Sequence, residues 1–306
     1  MNAPTAGEAP RDPEEVEGQA ASVTPEISAR TTLGPVHLTV SELARSIDYY
    51  RSAIGLEVVS SGEGHVSLGT AGTELLVLVE EPVARPAFGY TGLYHFALLL
   101  PERVDLARWL AHAGRDRVPL VGLSDHFVSE AIYLSDPDGH GIEIYWDRPR
   151  ELWEGQVGAR MTTLRLDVES LLGELDDPST APFDGLPPGT IMGHIHLKVA
   201  GISESVAFYR DVLGFGLIAQ LGAQAAFLSA GGYHHHLGAN TWESADAPPP
   251  PPGAASLRHA TIILPDEAER NELLARLEQS GHGLRDGELG PMVRDPSGNT
   301  LLLSVA

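Results

Sequence analysis

A glutamate held between two isoleucines is the first residue that asks for chemistry. Ile142-Glu143-Ile144-Tyr145-Trp146 is rich in strand formers. It follows Asp136-Pro137-Asp138-Gly139, a turn in which proline presets φ and glycine supplies a positive φ. An unpaired carboxylate in an apolar strand is very costly, so Glu143 needs a cation or a metal ion. Histidines supply the matching chemistry. His37, His95, His196 and His259 each sit in a short apolar run (GPVHLTV, LYHFALLL, GHIHLKV and LRHATIIL). A further run, Tyr233-His234-His235-His236, lies mid-chain. Two neutral imidazoles and one carboxylate suit Fe(II) or Mn(II) and leave positions open for substrate and O2. An all-oxygen set would suit Mg or Ca better, and three histidines would suit zinc as well. A strand histidine standing alone is more often a core side chain, so recurrence at equivalent positions carries the argument.

The elements that hold these residues repeat. Residues 34–40 read as a strand. Residues 41–54 read as an amphipathic helix on which Leu43, Ile47 and Tyr50 share a face; Ser41 and Glu42 offer a capped start and Gly55 a stop. Short strands follow, making a βαβββ unit. A second unit runs from residue 90, with His95 on its first strand and Glu143 on its last. Residues 193–199 and 203–215 repeat the first strand and helix. His37 and His196, Tyr50 and Tyr209, and Gly55 and Gly214 are all 159 positions apart, a register that marks a true internal repeat. Asp295-Pro296-Ser297-Gly298 repeats the turn before Glu143, but the glutamate's counterpart is Leu302. Only the second module offers a carboxylate at the last-strand position.

The fold class is therefore α+β: four βαβββ modules in two halves, with paired modules closing curved sheets around a metal cavity. The expected divisions are a disordered tail over 1–30, a first half over 31–147, a linker over 148–190 containing a short helix near 168–175, and a second half over 191–306. Residues 1–30, rich in Ala, Pro, Glu and Gly, show no apolar period.

Composition narrows the class. The 306 residues are 42% hydrophobic and carry a net charge of −22, which argues against nucleic acid and anionic membrane surfaces as partners. With no cysteine, disulfides, thiolate metal sites and cysteine nucleophiles are excluded. The sequence shows neither a signal peptide nor a membrane-length apolar run, so a cytoplasmic location is expected.

The helices of the type SxxFYxxxLGF, the βαβββ repeat and the ending DPDGHGIEIYWDRP resemble the vicinal oxygen chelate superfamily of glyoxalases, bleomycin-resistance proteins and extradiol dioxygenases. The segments TGLYHFALLLP, DHFVSEAIYLSDPDGHGIEIYWDRPRE, GHIHLKV and FLSAGGYHHHLGANTW resemble its catechol 2,3-dioxygenase-like and hydroquinone ring-cleaving branch. The resemblance covers about residues 33–306. It implies a metal-dependent ring-cleaving dioxygenase acting on a small aromatic diol and O2, with Fe(II) as cofactor and Mn(II) as the other metal the same ligands serve. A homodimer is a further expectation from the superfamily. The resemblance implies His95 and Glu143 as ligands from the second module. The third ligand is His196 if modules two and three pair, and His37 if sequence neighbours pair. Pairing two with three is favoured because it also brings in the His run, from which His235 is implied as the acid/base residue; strand alternation would turn His234 and His236 to the other face. His126 and Tyr133 are implied as pocket residues beside the substrate hydroxyl and the oxygen. Two other readings stay open: a glyoxalase-type isomerase or lyase with Glu143 as base, and a metal-free aromatic-binding module.

Overall fold

The computed structural model describes residues 26–160 and 162–306. The first module contributes β1 (Thr32–Val40), β2 (Glu57–Gly62), β3 (His65–Thr70) and β4 (Thr73–Glu80). The second contributes β5 (Gly92–Leu99), β6 (Gly122–Asp125), β7 (Ser129–Ser135) and β8 (Gly141–Asp147). The connecting segment adds a two-residue strand, β9 (Leu164–Arg165), which pairs with β6, and a helix over Val168–Leu172. The third module gives β10 (Ile191–Lys198), β11 (Gly216–Leu221), β12 (Ala225–Ser229) and β13 (Leu237–Asn240). The fourth gives β14 (Leu257–Leu264), β15 (Leu284–Gly287), β16 (Gly290–Arg294) and β17 (Thr300–Val305).

These strands make two sheets. One has the order β15-β16-β17-β14-β1-β4-β3-β2, the other β11-β12-β13-β10-β5-β8-β7-β6-β9. Module one therefore pairs with module four, and module two with module three. The halves expected at 31–147 and 191–306 each send one module into each sheet. Neighbour pairing, the condition for His37 as third ligand, does not occur: β1 lies in the other sheet, hydrogen-bonded to β14 and β4.

Alternation in the strands explains the layers. Phe96, Leu98, Ile132, Ile142, Ile144, Ile195 and Leu197 face the helices and join the main apolar core. His95, Ala97, Glu143 and His194 occupy alternate positions on the opposite, concave face. The helices Leu43–Tyr49 and Ile202–Val206 each run on into one widened turn, Tyr50–Ile54 and Ala207–Val212. The first begins with no side-chain cap from Glu42; Glu80 instead accepts from the Leu43 N–H at 2.8 Å, and Ser41 is drawn to Asp138 at 2.6 Å. Gly55 ends it at φ 92°, where any larger residue would be strained.

Those widened turns carry the ties between sheets. The buried Tyr50 hydroxyl donates to Asp136 at 3.0 Å, and Tyr209 donates to Asp295 at 2.6 Å. Each pair joins consecutive modules that lie in different sheets. The repeat thus specifies both the strands and the contact that clamps one sheet to the other. Of the tail expected over 1–30, residues 1–25 lie outside the described residues. Ile27 is buried and donates its N–H to the Gly214 carbonyl at 2.9 Å, so residues from 26 onward belong to the fold. No described helix is long and apolar enough to cross a membrane.

In the module-one and module-four sheet, His37 and His259 stand opposite each other and stack at 3.9 Å. Burial, each other's proximity and Arg258 hold His37 down to about 3; burial and Arg258 hold His259 down to about 4. The unfolded chain binds protons at these residues near pH 6.5 while the folded chain refuses them, so stability falls as pH drops through that window. A His37→Gln/His259→Gln double variant should show a flatter Tm between about pH 6.5 and about 4. An unchanged slope would mean that this pair does not govern acid sensitivity.

Candidate metal centre and its cavity

Two rows of side chains cross the concave face of the second sheet. His194 on β10 stands opposite Ala97 on β5, which stands opposite Glu143 on β8, which stands opposite Tyr133 on β7. His196 and His95 stand opposite each other one step along. Ala97 is the decisive small residue. It lies between His194 and Glu143, so the two long side chains meet above it, and His95 reaches the same point diagonally. His95 Nε2 lies 3.0 Å from Glu143 Oε2, His194 Nε2 lies 3.0 Å from the same oxygen, and the two imidazole nitrogens are 3.3 Å apart. One potential ligand atom from each lies within 4.8 Å of the others, and all three residues are buried.

His194, rather than the expected His196, completes the cluster. Both point into the cavity because they are two residues apart on one strand. His196 lies over Gly238, where even a Cβ would come within 2.8 Å of its ring. Its ring centroid is 5.1 Å from that of His95, and its buried Nε2 has no hydrogen-bond partner among the described residues. Burial, with His95 and His194 nearby, holds His196 well below the usual imidazole range, so it faces the cavity neutral at physiological pH.

Burial alone would push Glu143 up, but the charges and hydrogen bonds of His194 and His95 outweigh it and hold the carboxyl well below its usual range. A buried, ionised carboxylate between two imidazoles is a donor set for a divalent first-row ion. The buried His194 Nδ1 also has no partner among the described residues.

The expected pocket residues gather around this cluster. Tyr133, across from Glu143, has its hydroxyl 2.8 Å from His126 Nε2. His126 sits in the β6–β7 turn, next to Phe127 at φ 70°, a conformation that costs a non-glycine residue roughly 1–2 kcal/mol. Two bonds of 2.8 Å from Arg148 to Asp125 brace that turn.

His235 lines the cavity, its ring 4.1 Å from that of His194. The His run lies in a bend before β13 rather than in a strand. Alternation therefore does not apply, and His234 also turns inward, against expectation. Its Nε2 lies 2.8 Å from Asp147 Oδ1, and its Nδ1 lies 2.9 Å from His235 Nδ1. Tyr233 donates to the other Asp147 oxygen at 2.6 Å. His236 turns away and accepts from the Ala230 N–H through Nδ1. Burial and the surrounding histidines hold His235 well below the usual imidazole range. The cavity encloses about 610 Å³, within the size range of small-molecule sites.

Residues 32–144 and 191–303 match the family model described as the Glyoxalase/Bleomycin resistance protein/Dioxygenase superfamily. The chain belongs to this superfamily. A Bacillus subtilis (strain 168) protein named catechol-2,3-dioxygenase is 42% identical over 272 residues, which cover 87% of this chain and 94% of that protein. Among solved structures, a Bacillus subtilis protein whose name assigns it provisionally to the dioxygenases superposes with a TM-score of 0.61 at 16% identity, covering 92% of this chain and 86% of that one. Glyoxalase I from Zea mays superposes with a TM-score of 0.55 at 13% identity, covering 89% and 92%. At such identities these two likenesses establish the superfamily fold alone.

His194, His234 and Asp147 escaped the sequence reading. The spacing His-x-His in GHIHLKV was the available signal for His194, since both residues of such a pair face one side of a strand.

Proposed function

We propose that this chain is a metal-dependent extradiol-type dioxygenase that cleaves the ring of a catechol or hydroquinone with O2. The convergence of His95, Glu143 and His194 on one point of a cavity carries this reading, and the near-full-length relative named catechol-2,3-dioxygenase supports it. His95, Glu143 and His194 are the residues that would hold the metal. Fe(II) is the ion this reading assigns, with Mn(II) served by the same donors. When bound, the metal supplies the redox chemistry and lowers the pKa of a coordinated diol hydroxyl.

The chain's own groups do the rest. His194 and His95 must present lone pairs to a metal, so metal affinity weakens as pH falls. Asp147 accepts from His234 Nε2–H, so His234 Nδ1 accepts from His235 Nδ1–H. That leaves the lone pair on His235 Nε2 as the base for a substrate proton. The paired His126 and Tyr133 offer a second hydrogen-bonding position beside Glu143. Neutral His196 lines the cavity beside the cluster and offers its ring as a wall for substrate. Tyr94, Tyr133, Phe227 and Trp242 give the cavity aromatic walls for the reacting ring.

A glyoxalase-type reaction calls for a fourth protein ligand, and among the described residues the cluster has three members. The test is oxygen uptake by Fe(II)-loaded protein with catechol and methylhydroquinone, with the ring-opened product followed spectroscopically. Stoichiometric uptake with ring opening is expected. Metal-loaded protein that consumes no O2 with either diol would end the dioxygenase reading.

A further inference from the structure

Lys198 is the chain's only lysine. It ends the row that begins with His194 and His196 on β10, its Cα about 13 Å along the strand from that of His194, given a rise of ~3.3 Å per residue. It is only 9% exposed and lines the cavity. Tyr94, His196 and Trp242 stand between it and the histidine cluster, their ring centroids 5.3 to 5.6 Å apart. These rings suit the faces of a planar aromatic substrate.

The fold itself does not call for this ammonium. The equivalent residue 159 positions earlier is Thr39. The backbone carbonyls of both do the same work: Thr39 O meets His140 Nε2 at 2.9 Å, and Lys198 O accepts from Asn299 at 3.3 Å. Among the described residues the Lys198 side chain forms no ion pair. Glu243 acts on it only through space and is itself exposed at the cavity rim. A largely buried cation without a partner is costly, and nothing else in this strongly acidic chain puts a lysine anywhere.

We propose that Lys198 receives an anionic substituent of the aromatic diol, so that the enzyme's substrate class is catechols or hydroquinones carrying a carboxylate-type group on the ring or a short side chain. This rests on the ring-cleavage reading and adds a specificity determinant to it. The diol end would lie at the His95–Glu143–His194 cluster, the ring along Tyr94 and Trp242, and the anion at the Lys198 ammonium.

The test compares 3,4-dihydroxyphenylacetate with 4-ethylcatechol, which is similar in size and uncharged, using Fe(II)-loaded wild type, Lys198→Met and Lys198→Arg. Wild type should favour the anionic diol in kcat/KM. In Lys198→Met the anionic-to-neutral ratio should drop about tenfold, as expected for one charge-assisted bond, mainly through KM, and Lys198→Arg should restore much of it. A wild type with no preference for the anion, or a ratio unchanged in Lys198→Met, overturns the proposal. Calorimetric titration of both diols onto the same proteins reads the ratio without turnover. A protein that binds the anionic diol through Lys198 yet consumes no O2 would refute ring cleavage and uphold Lys198; one that consumes O2 with an unchanged ratio would do the reverse.

Discussion

His194→Ala is expected to lose its metal, whereas His196→Ala is expected to keep it. The two histidines are two residues apart on one strand and equally buried, so the contrast isolates geometry from chemistry. His194 Nε2 stands 3.0 Å from the Glu143 oxygen that also meets His95, while His196 lies over Gly238 with its Nε2 unpartnered. Groups that merely orient ligands cost 10–100-fold in metal affinity when removed, so losing a ligand should cost roughly 100-fold or more. The loss should also appear in metal-free protein. Glu143 would lose a principal partner, and breaking a buried pair costs about 3–5 kcal/mol, readable as a lower Tm. Metal content by plasma emission and Tm without metal are the measurements. Metal retained in His194→Ala but lost in His196→Ala would return the third ligand to His196. His37→Ala should keep its metal, because its strand lies in the other sheet.

The second large effect is expected at His235. His235→Ala should keep the metal and lose turnover by roughly 10²–10⁴-fold, the range for a positioned proton-transfer group. Asp147→Asn sharpens the test. With the amide N–H turned toward His234 Nε2, the whole chain of hydrogen bonds inverts. His234 Nε2 then accepts, its Nδ1–H donates to His235 Nδ1, and the proton of His235 moves to Nε2. The base is lost although every side chain keeps its shape. A fall in kcat at full metal content in both variants is the expected pattern, measured with the diol found to support oxygen uptake. Unchanged kcat in His235→Ala would remove the acid/base role.

Much of this was legible in residue order. The 159-residue offset announced four modules, and it extends further than strand and helix. Tyr50 and Asp136 reappear at that offset as Tyr209 and Asp295, the tie between sheets. Glu143 was legible because a carboxylate between isoleucines has few affordable surroundings, and the inner pairing was legible because the His run had no counterpart in module one. The third member of the cluster was not. Aligning GHIHLKV with GPVHLTV selects His196, the residue equivalent to His37, and alignment carries repeat ancestry rather than reach. Reach depends on Ala97, whose small side chain lets His194 and Glu143 meet across an intervening strand. His234 is not legible because its segment is a bend, and a bend follows no alternation. Asp147 escaped because its partner arrives from 87 residues further along the chain.

The order of the strands has a consequence for synthesis. The two sheets are nested like brackets: the inner closes between residues 92 and 240, while the outer joins β1 to β14, with His37 opposite His259. On the ribosome, the sheet that carries the His95–Glu143–His194 cluster can therefore assemble before the fourth module has been made. β1 must wait with an open edge for roughly 10–40 seconds, at ~5–20 residues per second, and such an edge invites wrong pairing. The last module to emerge adds Leu257 to the chamber's rim and closes the exposed flank of the sheet in which His37 and His259 stack.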